Sequence, residues 1–336
     1  MNFLDVLIAV VFLLILAVPG FILKKIKFLP EGADGIFSTM VLYVCQPMLV
    51  FMAFQKTTFS ADVGINMLIV AGLTFVVHFL MIGFMFLVFR NKKGDDAKKA
   101  KINALRFASI FSNCGFMGMP FLQSLFANQP ELQGEILIYA GVVIAVFNLL
   151  TWSVGVFIVS GDKKQISLKK TILNPTVIGL ILGILVFIIA KVPLKDVTPT
   201  GSVGDKVLEG FIKACNFLAE MVTPVSMTVI GIKLANSNLK KIFLDKWAYV
   251  NAVNKLIVMS LISILVTAFL PIAPVMKYCV FFLLSMPSAT NTVMFAVRFG
   301  GDSDSGTVFV LLSTILSCVT LPLMFLVMNG LFNVPI

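Results

Sequence analysis

The sequence predicts an all-α membrane protein of ten transmembrane helices, arranged as two inverted five-helix repeats with broken fourth and ninth helices. Three observations carry that reading. Of 336 residues, 59% are hydrophobic and 12% charged, with a mean hydropathy of +1.03, whereas a soluble domain has about 25% charged residues. Charge-free runs recur along the whole chain, each near or above the roughly 20 residues that cross a bilayer as helix. Breaks within those runs come in pairs five spans apart.

The runs cover residues 6–23, 35–55, 63–89, 107–130, 136–161, 171–190, 256–276, 278–297 and 305–336. A further span is placed at about 209–235, where Lys213, Glu220 and Lys233 interrupt an otherwise apolar stretch. The runs are continuously apolar, with none of the alternation of a barrel strand, so the spans read as helices. The first run stays as a helix: MNFLD has no basic residue ahead of it, and no A-x-A cleavage site follows. The five cysteines lie in apolar surroundings without a C-x-x-C pair, and read as packing residues, not as a disulfide framework or metal site.

A net charge of +10 has topology as its explanation. Loops and span ends after odd-numbered spans hold 19 Lys and Arg, against six after even-numbered spans. The positive-inside rule then puts the odd loops in the cytoplasm and both termini outside the plasma membrane. The stretch RNKKGDDAKKAK, residues 90–101, reads as a cytoplasmic loop near anionic headgroups, with no nucleic-acid partner implied.

Pro120 interrupts the fourth span and Pro287 the ninth; Pro47 lies in the second and Pro224 in the seventh. Because five is odd, a second five-helix unit enters the membrane inverted, the signature of secondary transporters. The repeats are residues 1–160 and 175–336, joined by a cytoplasmic connector at 161–174. Around the first break stand Ser112, Asn113, Gly115 and Gly118; around the second, Ser285, Ser288, Thr290, Asn291 and Thr292. Helices that unwind there expose backbone groups that need partners, which a substrate pocket supplies. A proline in the first turn after each break lets the second half-helix restart with its N–H groups toward the centre, which favours a carboxylate. Unpaired carbonyls of the preceding halves favour a cation instead, so the breaks alone leave the sign of the ligand open. Gln46 beside Pro47 and Asn148 on the fifth span are further pocket candidates.

Three ionisable residues within spans are candidates for coupling or charge balance. Lys255 can balance an anionic substrate, change protonation during transport, or snorkel to an interface. Glu220, one turn before Pro224, can hold a coupling cation or proton, or pair with a lysine. His78, the single histidine, can relay protons or serve as packing.

The segment SNCGFMGMP at 112–120 resembles the fourth-span motif of the auxin efflux carrier family, and LNP at 173–175, TVIGIKL at 228–234, SMPSAT at 285–290 and STILSCVTLP at 313–322 are similar to its other landmarks. The resemblance covers nearly the whole chain and is closest to the compact bacterial type labelled malate or malonate permease, since only GDKKQISLKKT joins the halves. It implies the fold of bile-acid sodium symporters. The fourth and ninth helices cross in a mobile transport domain, and helices one, two, six and seven form a scaffold through which homodimers assemble. It also implies an elevator-type mechanism, with Asn113, Gly118, Pro120 and Pro287 matching the site. Val50 stands where plant carriers have a hydroxyl, which counts against an indole acid.

No H-E-x-x-H or P-loop motif is present, and one histidine leaves little for a metal site, so the sequence does not read as an enzyme. GGDSDSG at 300–306 is a turn. The expected function is secondary transport of small organic anions, mono- or dicarboxylates or auxin-like acids. No cofactor is expected, and H⁺ or Na⁺ coupling stays open; the alternatives are an anion channel or a membrane receptor.

Overall fold

A computed structural model describes residues 3–55, 60–90, 95–166, 173–190 and 203–332. Thirteen helices are named here in chain order: α1 Phe3–Lys25, α2 Ala33–Ala53, α3 Ala61–Val88, α4 Asp96–Ile110, α5 Met119–Leu125, α6 Glu131–Ser160 and α7 Pro175–Ala190. They continue with α8 Lys206–Asn236, α9 Leu239–Leu244, α10 Lys246–Ala268, α11 Pro274–Ser285, α12 Asn291–Phe299 and α13 Ser303–Phe332. No strand occurs among the described residues. Seven helices (α1, α2, α3, α6, α8, α10 and α13) are long and apolar enough to cross a membrane. The protein is a multi-pass membrane protein. The other three predicted spans fall on the short α7 and on the broken pairs α4–α5 and α11–α12. Part of the predicted connector, residues 167–172, lies outside the described residues.

Two boundaries depart from the charge-free runs. Helix α10 begins at Lys246, ten residues before the run at 256–276, because Lys255 is accommodated inside the helix bundle. Helix α4 begins at Asp96, inside the basic stretch read as loop; Asp95 caps it by accepting a hydrogen bond from the Lys98 N–H at 2.9 Å.

Proline explains the disturbances in α2 and α8, since it removes an N–H and crowds the carbonyl four residues back. In α2 the backbone widens to a π-helical turn at Val41–Cys45, ahead of Pro47. In α8 the helix is interrupted at Met221, ahead of Pro224.

Helix α1 exposes a stripe of large apolar side chains, Leu4, Ile8, Phe12 and Ile15, as a lipid-facing helix does. Its other face lies against α8 at backbone distance. A Cβ on Gly20 would stand 2.3 Å from the Thr228 carbonyl oxygen, and one on Gly231 would stand 2.0 Å from that of Ala17. Backbone cannot step aside as a side chain can, so Gly231→Ala must push the two helices apart. We expect it to cost about 1–3 kcal/mol, the range of overpacked interiors, read as a lower melting temperature in detergent. Gly72→Ala, where a Cβ meets nothing within 4 Å, is the control and should not lower it. Helix α7 is seated on α2 in the same way, with Gly179 against the Pro47 backbone and Gly183 against Phe54.

Helix α11 is the reverse of α1, with Tyr278 through Ser285 all buried. Aromatic rings fill the space where it meets the other broken helix. Phe121 and Phe282 have centroids 5.0 Å apart, and Phe107 lies 4.7 Å from Phe111 and 5.3 Å from Phe295. These contacts hold the two breaks against each other.

Candidate functional site

Helix α11 stops at Ser285 because Pro287 drives the preceding residue out of the helical region; Met286 has φ −57° and ψ 153°. Helix α4 stops at Ile110, and Phe111 is extended with φ −94° and ψ 124°. The two extended stretches run antiparallel, with Ser112 opposite Ser288. The Asn113 N–H donates to the Pro287 carbonyl at 2.7 Å, and the Ala289 N–H to that of Phe111 at 2.9 Å. Each break thus satisfies backbone groups that the other leaves free, which makes a buried double break tolerable in a membrane.

The chain restarts differently on the two sides. After the first break a π-helical turn, Cys114–Gly118, leads into α5, and Pro120 occupies the first turn of α5 as expected. Pro287 does not play that part. It lies in the extended stretch, and α12 begins only at Asn291, so its role is to end α11 and offer its carbonyl to Asn113.

Helix α10 supplies the polar floor of the crossing. Lys255 is fully buried. Its ammonium donates to the Ser112 hydroxyl and, at 3.0 Å, to the Leu284 carbonyl at the C-terminal end of α11. Ser112 donates to the same carbonyl at 2.8 Å. One turn earlier, Asn251 donates to the Ser288 hydroxyl at 3.0 Å and the Phe309 carbonyl at 3.2 Å, while its oxygen accepts from Ser109 at 3.0 Å. The Ser288 N–H donates to Ser313 at 3.1 Å. Asn251 and Ser313 were not singled out from the sequence. The signal for Asn251 was there, since it lies four residues before Lys255 and so on the same helix face.

On the crossing lies a small cavity. Its polar wall is formed by Ser112, Asn113 and Gly115 from the first break, and by Thr290 and Asn291 from the second. Gln46 of α2 and Asn148 of α6 also face it, and Leu42, Phe116 and Phe147 add apolar surface. About 10 Å³ is open to the centre of a water-sized sphere, room for one water and too little for a carboxylic acid. This conformer is therefore contracted, and a ligand enters only if the surrounding helices part. Gly115 allows the Gln46 approach: a Cβ there would stand 2.2 Å from Gln46 Nε2.

The lining contains four carboxamides and no charged side chain. Asn113 is 3% exposed, and its Nδ2 has no hydrogen-bond partner among the described residues. An unmade bond on a buried amide costs about 1–3 kcal/mol, and this one is on a residue that lines the cavity. All four π-helical turns among the described residues adjoin the site, a frequent setting for π-bulges. They precede Gln46, follow Asn113, begin three residues after Asn148, and contain Lys255.

Of the predicted site residues, the fold brings Gln46, Ser112, Asn113, Gly115, Asn148, Thr290 and Asn291 to the cavity. Gly118, Pro120, Pro287 and Ser288 shape the crossing without lining it; a Cβ on Gly118 would come within 2.6 Å of Leu283. Lys255 lies under the crossing and does not snorkel. His78 is buried on α3, donating from Nδ1 to the Thr74 carbonyl at 2.8 Å, with its ring centroid 6.0 Å from that of Phe111 and its Nε2 without a partner. Glu220 is exposed on α8 and does not reach the site. Among the described residues, no three His, Cys, Asp or Glu are grouped to hold a metal.

A crossing of two broken helices around an uncharged, donor-bearing cavity is an arrangement for holding a solute within a membrane. Comparison with known families agrees, as residues 5–325 match the membrane transport protein family. The chain belongs to that family. The match spans both breaks and the motifs that resemble auxin efflux carriers. Two archaeal relatives are similar over nearly their full length. An uncharacterized transporter of Methanocaldococcus jannaschii is 24% identical, covering 87% of this chain and 89% of its own. An uncharacterized transporter of Methanothermobacter thermautotrophicus is 23% identical, covering 92% and 94%.

Proposed function

We propose that this membrane transport protein is a secondary carrier of small organic anions, mono- or dicarboxylates, working by alternating access around the helix crossing. The observation that carries the reading is the division of charge at the crossing. The carbonyl end of α11 is occupied by the Lys255 ammonium, while Asn113, which lines the cavity, has an amide donor without a partner among the described residues. A cation would meet an ammonium where it needs oxygens; an anion meets donors with a positive charge behind them. The place of that lysine supports an anion as the ligand, a choice that the breaks alone leave open.

The wider scheme rests on sequence pattern and family. The ten spans form two inverted repeats, residues 1–160 and 175–336, with the crossing helices in a domain that moves by an elevator stroke against a scaffold of spans one, two, six and seven. The scaffold joins two copies, and both termini face outward from the plasma membrane. With no carboxylate in the cavity lining, uniport or proton coupling fits better than sodium symport.

The test is a melting-temperature screen of the purified protein against a carboxylate panel, with and without sodium and at two pH values, followed by counterflow in proteoliposomes. Stabilisation by at least one carboxylate, and exchange of internal for external substrate, are the expected results. Uncoupled current beyond carrier rates would make the protein a channel; binding without flux would make it a receptor.

A further inference from the structure

Asn174, just ahead of α7, lies outside the cavity lining yet controls what one wall presents. Its Oδ1 accepts from the Thr176 N–H at 2.9 Å, which caps the start of α7. Its Nδ2 donates to Asn148 Oδ1 at 3.4 Å, and Asn148 Nδ2 in turn donates to the Ile144 carbonyl at 2.9 Å.

Both ends of this relay have a fixed sense. A backbone N–H only donates and a backbone carbonyl only accepts, so neither amide can be reversed without breaking a bond at one end. With its oxygen accepting from Asn174 and one N–H given to the Ile144 carbonyl, Asn148 has its second N–H as its one remaining donor, on a residue that lines the cavity.

We infer that Asn174 is a positioning residue that holds the Asn148 amide with its donor toward the cavity, making this wall a second recognition point for an acceptor oxygen of the substrate. Two walls then carry donors, Asn113 at the crossing and Asn148 on α6. Such a site favours ligands with acceptor oxygens at two separated points, a second carboxylate or a hydroxyl or keto group, over acids with an apolar tail. The inference rests on the anion-carrier reading for its ligand but not for its geometry.

Asn174→Asp separates the two roles of the side chain. Aspartate still accepts from the Thr176 N–H and caps α7 as well as asparagine does. It has no N–H for Asn148, whose amide is expected to turn and show its oxygen to the cavity. In malonate counterflow with the full chain in proteoliposomes, Asn174→Asp should raise KM about tenfold, the loss of one hydrogen bond to a charged group, with a smaller change in maximal rate. Its melting temperature should stay near that of wild type. Butyrate, with one acceptor end, should lose much less, and Asn174→Ser, which caps α7 without adding a charge, should show the same contrast. A wild-type KM for malonate in Asn174→Asp, or equal losses for malonate and butyrate, would overturn the assignment.

If wild-type protein moves neither acid, the anion-carrier reading fails in that form and the relay is judged without substrate. Melting temperatures of Asn148→Ala, Asn174→Asp and the double variant should then be non-additive, since the residues share one bond. Additive shifts would overturn the relay.

Discussion

Replacing Asn113 with alanine is expected to weaken carboxylate binding by about 10- to 100-fold, the loss of an amide bond to a charged ligand, while the unliganded protein melts at the same or a higher temperature. The second half distinguishes a binding residue from structural glue. The Asn113 side-chain nitrogen is buried without a partner, so removing it relieves an unmet desolvation cost and breaks no side-chain donor bond. Its backbone N–H bond to Pro287, which holds the crossing, is kept by alanine. Residues held in a locally unfavourable state for function show this trade of stability against activity. Melting curves with and without ligand check both halves. Wild-type affinity would move the pocket elsewhere, and a large drop in unliganded stability would make Asn113 a packing residue.

The second large effect is expected at Lys255. The ammonium bonds Ser112, and Ser112 lines the cavity, so an anion held by neighbouring donors there would lie on the order of 6 Å from the charge. At an effective dielectric of about 20 that attraction is about 3 kcal/mol, on the order of 100-fold in affinity. Lys255→Met should therefore abolish anion counterflow at ordinary substrate concentrations. It should still fold, because exchanging a buried charge that has no carboxylate partner among the described residues for an apolar chain of similar length is often neutral. Lys255→Ala asks the converse question. It leaves the Leu284 carbonyl and the Ser112 hydroxyl facing an unfilled space, and sodium should raise the melting temperature of that variant but not of wild type. Sodium stabilisation of the wild-type protein would put a cation site elsewhere, and wild-type counterflow in Lys255→Met would remove the charge from the mechanism.

Much of this was legible from residue order because a membrane imposes few choices. A charge-free run of about 20 residues must be a helix, and proline within it can disturb that helix, as at Pro47, Pro120, Pro224 and Pro287, though α1 and α13 run through Pro19 and Pro322. The polar residues beside the two deepest breaks, Ser112, Asn113, Thr290 and Asn291, were therefore readable as site residues, and they meet at one cavity. Glu220 looked equally good by spacing from Pro224, yet it is exposed away from the site, because a one-turn offset cannot say which face of a helix its neighbours cover. Lys255 misled the span boundary for the opposite reason. Charge-counting treats a lysine as a helix end, whereas here the ammonium finds two oxygens from other helices inside the bundle.

By itself, then, the sequence determined the class, the helices, their breaks and the chemistry gathered at the breaks, since these follow from hydropathy and from proline's missing N–H. Only the tertiary structure decided how that chemistry is divided. It placed the Lys255 ammonium on the carbonyl end of α11, left the Asn113 amide free, and linked Asn174 to Asn148 across α6 and α7. Those outcomes depend on pairs more than 20 residues apart, and on the sense of each hydrogen bond, which spacing along one chain does not encode.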